Sequence, residues 1–206
     1  MNICKHIDYT LLKPTATYSD IYNLCIEAEE KGCASVCIPS HFVKFAHKFF
    51  PYLTICTVVG FPLGNSTTNT KIKEAEEAIV NGASEIDVVM NLSEFKEEDY
   101  DAVISEIDCI KCAIGEKILK VIIETCYLNE DEIAMATRIV SESMADYIKT
   151  STGFGTRGAS FKDIEIINSN RSHGLKVKAS GGIRTKEEMM KYLVLGCDRI
   201  GASKLP

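Results

Sequence analysis

From Ile7 to the end of this chain, short apolar runs alternate with longer segments of helical period, and no other feature limits the fold so tightly. Alternation of this kind is the signature of repeated βα units and of a parallel sheet covered by helices. Residues 6–10 predict a first strand, and residues 18–31 a helix with Ile21, Leu24, Cys25 and Ala28 on one face and Gly32 as its stop. Further strands are predicted over 34–38, 53–59, 85–90, 119–124, 147–151, 175–179 and 199–202. Between them lie helices over 42–50, 70–80, 100–114, 130–144, 161–168 and 186–195, with Asn129 as an N-cap. Eight strands and seven helices close most naturally as an α/β TIM (β/α)8 barrel, parallel and eight-stranded, with the last helix missing or vestigial. The competing architecture is an open doubly wound sheet, whose usual GxGxxG after the first strand is absent here. No linker or low-complexity segment interrupts the series, so 1–206 is expected to be a single barrel domain. A gap in the helical ring beside the first and last strands would need another cover, and a partner subunit is the candidate.

Charge narrows the function. The chain has 23 basic and 29 acidic residues, net −6, which argues against a surface built for nucleic acid or an acidic membrane. Its apolar runs are too short for a membrane helix and its first residues lack a signal core, so a cytoplasmic location is expected. Nine cysteines without an export signal read as buried thiols, Cys33, Cys37, Cys56 and Cys126 lying in or beside strand-like runs. Cys109 and Cys112 form a CxxC on a helix, with no second pair or histidine set to complete a metal site.

Chemistry in a barrel of this kind belongs at the C-terminal strand ends. Those ends carry Asp8, Asp87, Asn91, Glu124, Lys149, Lys178 and the Gly201-Ala202-Ser203 turn. Alternate residues of a strand share a face, so if Ile86, Val88 and Met90 meet the helices, Asp87 enters the barrel. The same reasoning from Ile148 and Val177 sends Lys149 and Lys178 inward. On adjacent strands two such ammonium groups would be about 6 Å apart and would repel by about 2.8 kcal/mol at an effective dielectric near 20. That favours a neutral amine on one of them, able to attack a carbonyl and form an iminium. Lys149 is the expected nucleophile, Lys178 the group that tunes it and Asp87 the proton relay. The turns at Thr152-Gly153, Gly181-Gly182 and Gly201–Ser203 are expected to bind phosphate through bare N–H groups, with charge from Arg184 or Lys204.

The stretches HIDYTLLKP from His6, VVGFPLGN from Val58, EIDVVMN from Glu85, LKVIIETCYL from Leu119, YIKTSTGF from Tyr147, VKASGGIRT from Val177 and RIGAS from Arg199 span nearly the whole chain. In this order they closely resemble the deoxyribose-phosphate aldolase family. The resemblance implies a Schiff-base lysine at Lys149, a perturbing lysine at Lys178 and a relaying aspartate at Asp87. It also carries phosphate contacts to Gly153, Gly181, Gly182 and the Gly201–Ser203 turn; Asp8, Thr152 and Arg184 complete the expected substrate site. The implied reaction is metal-free and cofactor-free reversible cleavage of 2-deoxy-D-ribose 5-phosphate to D-glyceraldehyde 3-phosphate and acetaldehyde, in deoxyribonucleotide catabolism, by a homodimer. The family's usual DHT is here Asp8-Tyr9-Thr10, and its GASS is Gly201-Ala202-Ser203-Lys204. A barrel that binds a sugar phosphate without turning it over is the rival reading. A metal-dependent lyase would need ligands that the sequence does not display.

Overall fold

The computed structural model describes residues 2–206. Eight parallel strands pair in sequence order: β1 Ile7–Thr10, β2 Ser35–Ile38, β3 Ile55–Val59, β4 Glu85–Val89, β5 Ile118–Ile122, β6 Tyr147–Lys149, β7 Lys176–Ser180 and β8 Arg199–Ala202. Pairing of Ile7 with Ile200, Asp8 with Gly201 and Tyr9 with Ala202 joins the two edges, so the sheet is a closed TIM barrel and not an open doubly wound one. The outer ring comprises α1 Tyr18–Lys31, α2 Val43–Phe49, α3 Thr68–Val80, α4 Leu92–Lys96, α5 Tyr100–Ile114, α6 Glu130–Glu142, α7 Phe161–Asn170 and α8 Lys186–Val194.

Local chemistry explains where the helices begin. Thr17, Asn129, Ser160 and Thr185 each form a capping box with the acid three residues on, Asp20, Glu132, Asp163 and Glu188. Gly32, at φ 66°, closes α1 in the left-handed conformation. The sequence reading gave seven helices, and the structure has eight. Asn91, expected to be an inward strand-end residue, instead accepts a hydrogen bond from the Ser93 N–H at 3.2 Å and caps the short α4. Residues 203–206 after β8 form no helix, and Leu205 packs against the core.

The main apolar core lies between the sheet and the helices, where Ile86, Val88, Met90, Ile148 and Val177 meet it. A separate small apolar group of Cys37, Cys56 and Val58 forms within the barrel. One ion pair is sealed into the outer layer: the Lys71 ammonium on α3 donates to Glu106 on α5 at 2.5 Å and to the Val89 carbonyl at 3.0 Å. Lys71 is fully buried and Glu106 nearly so. Removing one partner leaves a charge without compensation in a dry site, which costs about 3–5 kcal/mol. Glu106→Ala should therefore lower unfolding stability by that amount in urea titration, and a loss below about 1 kcal/mol, typical of surface pairs, would contradict this account. Among the described residues no helix is long and apolar enough to cross a membrane.

Candidate active site

The strands direct an unusual amount of charge into the barrel. Asp87 on β4 is its centre. Its Oδ2 accepts from the Lys149 and Lys178 ammonium groups, each at 2.8 Å, and its Oδ1 accepts from Lys120 at 2.7 Å and the Cys56 thiol at 3.0 Å. Lys149 and Lys178 are register partners on β6 and β7, so sharing one oxygen holds their nitrogens at no more than twice that contact distance. Below this centre, Lys178 Nζ lies 2.5 Å from Asp8 Oδ2 and Lys120 Nζ 2.6 Å from Glu85 Oε2. Arg199 joins the ring, 2.6 Å from Asp8 and 3.3 Å from Glu85.

Four cations thus meet three carboxylates: Lys120, Lys149, Lys178 and Arg199 against Asp8, Glu85 and Asp87. Burial pushes the Asp87 carboxyl up, but the ammonium groups of Lys120, Lys149 and Lys178 outweigh it and hold it well below the ordinary carboxylate range. Asp8 is likewise lowered: burial opposes ionisation, and Lys178, Lys120 and Arg199 overcome it. For Lys178 burial favours the neutral amine, yet Asp8 and Asp87 win and raise it above an ordinary lysine. Lys120 is raised in the same way, with Asp87 the largest opposing charge. Lys120 and Lys178 are therefore fixed cations. Matching them and Arg199 against the three carboxylates leaves the Lys149 site as the surplus charge.

Above the network opens a cavity of about 420 Å³. Lys149 reaches it; Asp8, Asp87 and Lys178 lie beneath its floor. Gly153, Gly181, Gly182, Arg184, Gly201 and Ser203 are brought together on its wall, as is Thr152. Among the described residues, the N–H groups of Gly153, Gly181 and Gly182 find no protein acceptor, as an anion site requires. A glycine is obligatory at 181, where φ is +85° and a Cβ would come within 2.8 Å of the Gly158 Cα.

Three expectations change. Asp8, read as a substrate contact, points down at Lys178, Lys120 and Arg199 because its strand enters the barrel one layer lower. Asp87 lies among three ammonium groups and not two. Thr152 gives both its N–H and its hydroxyl to the Glu124 carboxylate, so it offers the cavity no free donor. Glu124 is the residue behind this. It is buried at the end of β5 in a left-handed conformation (φ 49°), strain that a non-glycine residue bears only when its surroundings hold it. The sequence by itself places Glu124 at a strand end without a role, reads Cys56 only as a buried thiol, and assigns nothing to Lys120, Glu85 or Arg199. Alternation within β5 was a usable signal for Lys120, which is flanked by the outward Leu119 and Val121. Lys13, also on the cavity wall, carried no signal that separated it from an ordinary surface lysine.

Cys37, Cys56 and Asp87 offer metal-ligand atoms within 4.8 Å of one another. The Asp87 oxygens already accept from three ammonium groups and a thiol, so a dication would have to displace cations from that carboxylate. The remaining thiols form no disulfide, and Cys109 and Cys112 stand exposed on α5.

The sequence profile of the DeoC/LacD family of aldolases matches residues 4–203. The chain belongs to this family. Among DeoC/LacD relatives, the deoxyribose-phosphate aldolase of Clostridium botulinum (strain Alaska E43 / Type E3) is 49% identical over 203 residues, covering 98% of this chain and 92% of the relative. The solved aldolase QR15 superposes with a TM-score of 0.95 at 44% identity, covering 98% of this chain and 91% of its own. The deoxyribose phosphate aldolase of Aeropyrum pernix, described as having a unique tetrameric structure, gives a TM-score of 0.88 at 31% identity, covering 98% and 86%. The glycine turns and the inward lysines are thus set in a DeoC/LacD barrel over almost its full length.

Proposed function

We propose that this protein is a deoxyribose-phosphate aldolase of the Schiff-base class, working on one barrel domain, and that Lys149 is its nucleophile. The observation that carries this reading is that Lys149, alone among the buried ionic residues described, reaches the cavity while its charge is the one that three carboxylates leave unmatched. As a free amine it attacks the C1 aldehyde of open-chain 2-deoxyribose 5-phosphate. Loss of water from the carbinolamine gives an iminium, which draws electrons from the C2–C3 bond. A base removes the C3 hydroxyl proton, the C2–C3 bond breaks, and C3 becomes the aldehyde of glyceraldehyde 3-phosphate. The remaining enamine takes a proton at C2, and water hydrolyses the resulting iminium to acetaldehyde and free Lys149. Asp87, bonded to both lysines, moves protons through water between these steps, and Lys178 remains the fixed cation beside the amine. Phosphate is held by the Gly153, Gly181–Gly182 and Gly201–Ser203 turns with Arg184, and the protein works as a homodimer. No metal enters the scheme.

Borohydride reduction in the presence of substrate tests the proposal. Mass spectrometry should find a stable adduct on Lys149; binding without an adduct would instead mean a barrel that holds a sugar phosphate and does not turn it over. Activity that survives a chelator is expected as well. A further outcome concerns Glu124. With Glu124→Ala the Thr152–Gly153 turn loses its brace, so KM should rise about tenfold, about 1.4 kcal/mol, with a smaller change in kcat. A variant with wild-type KM would show that the turn holds its shape unaided.

A further inference from the structure

A contiguous exposed apolar surface lies outside the cavity on α1, α2 and the turn after α2. Tyr18, Tyr22 and Ile26 recur every fourth residue along α1 and are 56%, 40% and 36% exposed, while Phe49 is 51% and Tyr52 95% exposed. The rings form one array. Tyr18 stands edge-on to Phe45 at 4.9 Å, Phe45 meets Phe49 at 5.0 Å, and Phe49 meets Tyr22 at 6.0 Å. Tyr18 also touches the buried Phe42 at 4.9 Å, and Tyr22 the buried Phe50 at 5.2 Å, so the array is anchored in the core while its outer faces meet water. A contiguous, rigid aromatic patch of this kind marks a surface made for contact.

Charge identifies the occupant. On α1 the exposed Glu29 and Glu30 and the half-buried Asp20 make an acidic helix. Its neighbour α2 carries the exposed Lys44, His47 and Lys48, and no Asp or Glu occurs anywhere between Lys31 and Lys71. Lys48 Nζ lies 5.6 Å from the centre of the Phe49 ring, which puts basic charge on the aromatic ridge itself. An acidic helix beside a basic one, sharing a ridge of rings, becomes its own complement after a half-turn: acids meet bases and rings meet rings. That is the property of an isologous two-fold interface.

We infer that the α1–α2 face is the surface on which two copies of this chain associate, with α1 of each copy laid against α2 of the other. The inference rests on the homodimer reading above and names its surface. Sedimentation equilibrium at micromolar concentration tests both. Wild type should be dimeric, and Phe49→Glu should weaken association at least a hundredfold. The charge pairing has its own test, with substitutions at exposed positions far from the cavity. Lys44→Glu/Lys48→Glu and Glu29→Lys/Glu30→Lys should each be monomeric, and an equimolar mixture of the two should form a heterodimer. A monomeric wild type would remove the homodimer and this surface together. A dimeric wild type whose Phe49→Glu variant is equally dimeric would leave the homodimer standing and remove this surface alone. Charge variants that stay apart when mixed would likewise overturn the two-fold pairing of α1 with α2.

Discussion

Lys149→Ala should lower kcat/KM by about 10⁴-fold or more, the scale on which loss of a covalent nucleophile acts, and should abolish the borohydride-trapped adduct. The size of the effect follows from the lack of a substitute. The other buried ammonium groups, on Lys120 and Lys178, are held as cations by their carboxylates and lie below the cavity floor. Lys13 also stands on the cavity wall but is exposed and outside the buried network, so no other described lysine joins the network to the cavity. The fold should tolerate the change, because removing Lys149 leaves three cations against three carboxylates, a neutral cluster. A folded Lys149→Ala protein with turnover within tenfold of wild type would dismiss Lys149 as the nucleophile.

Lys178→Leu has the second large effect, and its sign is fixed by charge. With Lys178 present, an added proton on Lys149 makes the cluster positive; without it, the same proton makes the cluster neutral. The protonated, unreactive amine is therefore favoured in the variant, and activity appears only at higher pH. Removing a cation about 6 Å away at an effective dielectric near 20 is worth about 2.8 kcal/mol, or about two pH units. The acid limb of the kcat/KM profile should move up by that amount, with about a hundredfold loss at pH values below the limb. Asp8 and Asp87 each lose a close cation, so thermal stability should fall too. A slower enzyme with an unmoved limb would mean that Lys178 acts by contact or positioning and not through its charge.

The contrast between Lys149 and Lys120 shows how far a linear sequence can be read. Lys149 stood out because an apolar approach ends on it and hydroxyls and glycines follow, a local arrangement that has no use in a covered strand. Lys178 repeats that arrangement. Lys120 sits mid-strand between Leu119 and Val121, where alternation turns it inward but no glycine or hydroxyl directly follows to mark a site. Glu85 and Arg199, the first residues of β4 and β8, look like charges at a solvent edge. All three are charged residues of the lower barrel layer, and their burial depends on partners contributed by other strands. The pair Lys71 and Glu106 escaped notice for a related reason, since each looks like an ordinary surface residue on its own helix.

Sequence alone determined the number and order of strands, because a strand covered on both faces must be apolar along its length and a helix must repeat every 3.6 residues. It also determined that Asp87, Lys149 and Lys178 face inward, since alternation allows each strand one set of outward residues. Tertiary structure decided which charges neutralise which. Closure of β8 onto β1 sets Arg199 against Asp8 across 191 positions, and the shear of the barrel places Asp8 under Lys178 and away from the cavity. The physical reason is range: side-chain alternation and capping act between residues a few positions apart, whereas the energy of a buried charge depends on neighbours that only the folded chain assembles.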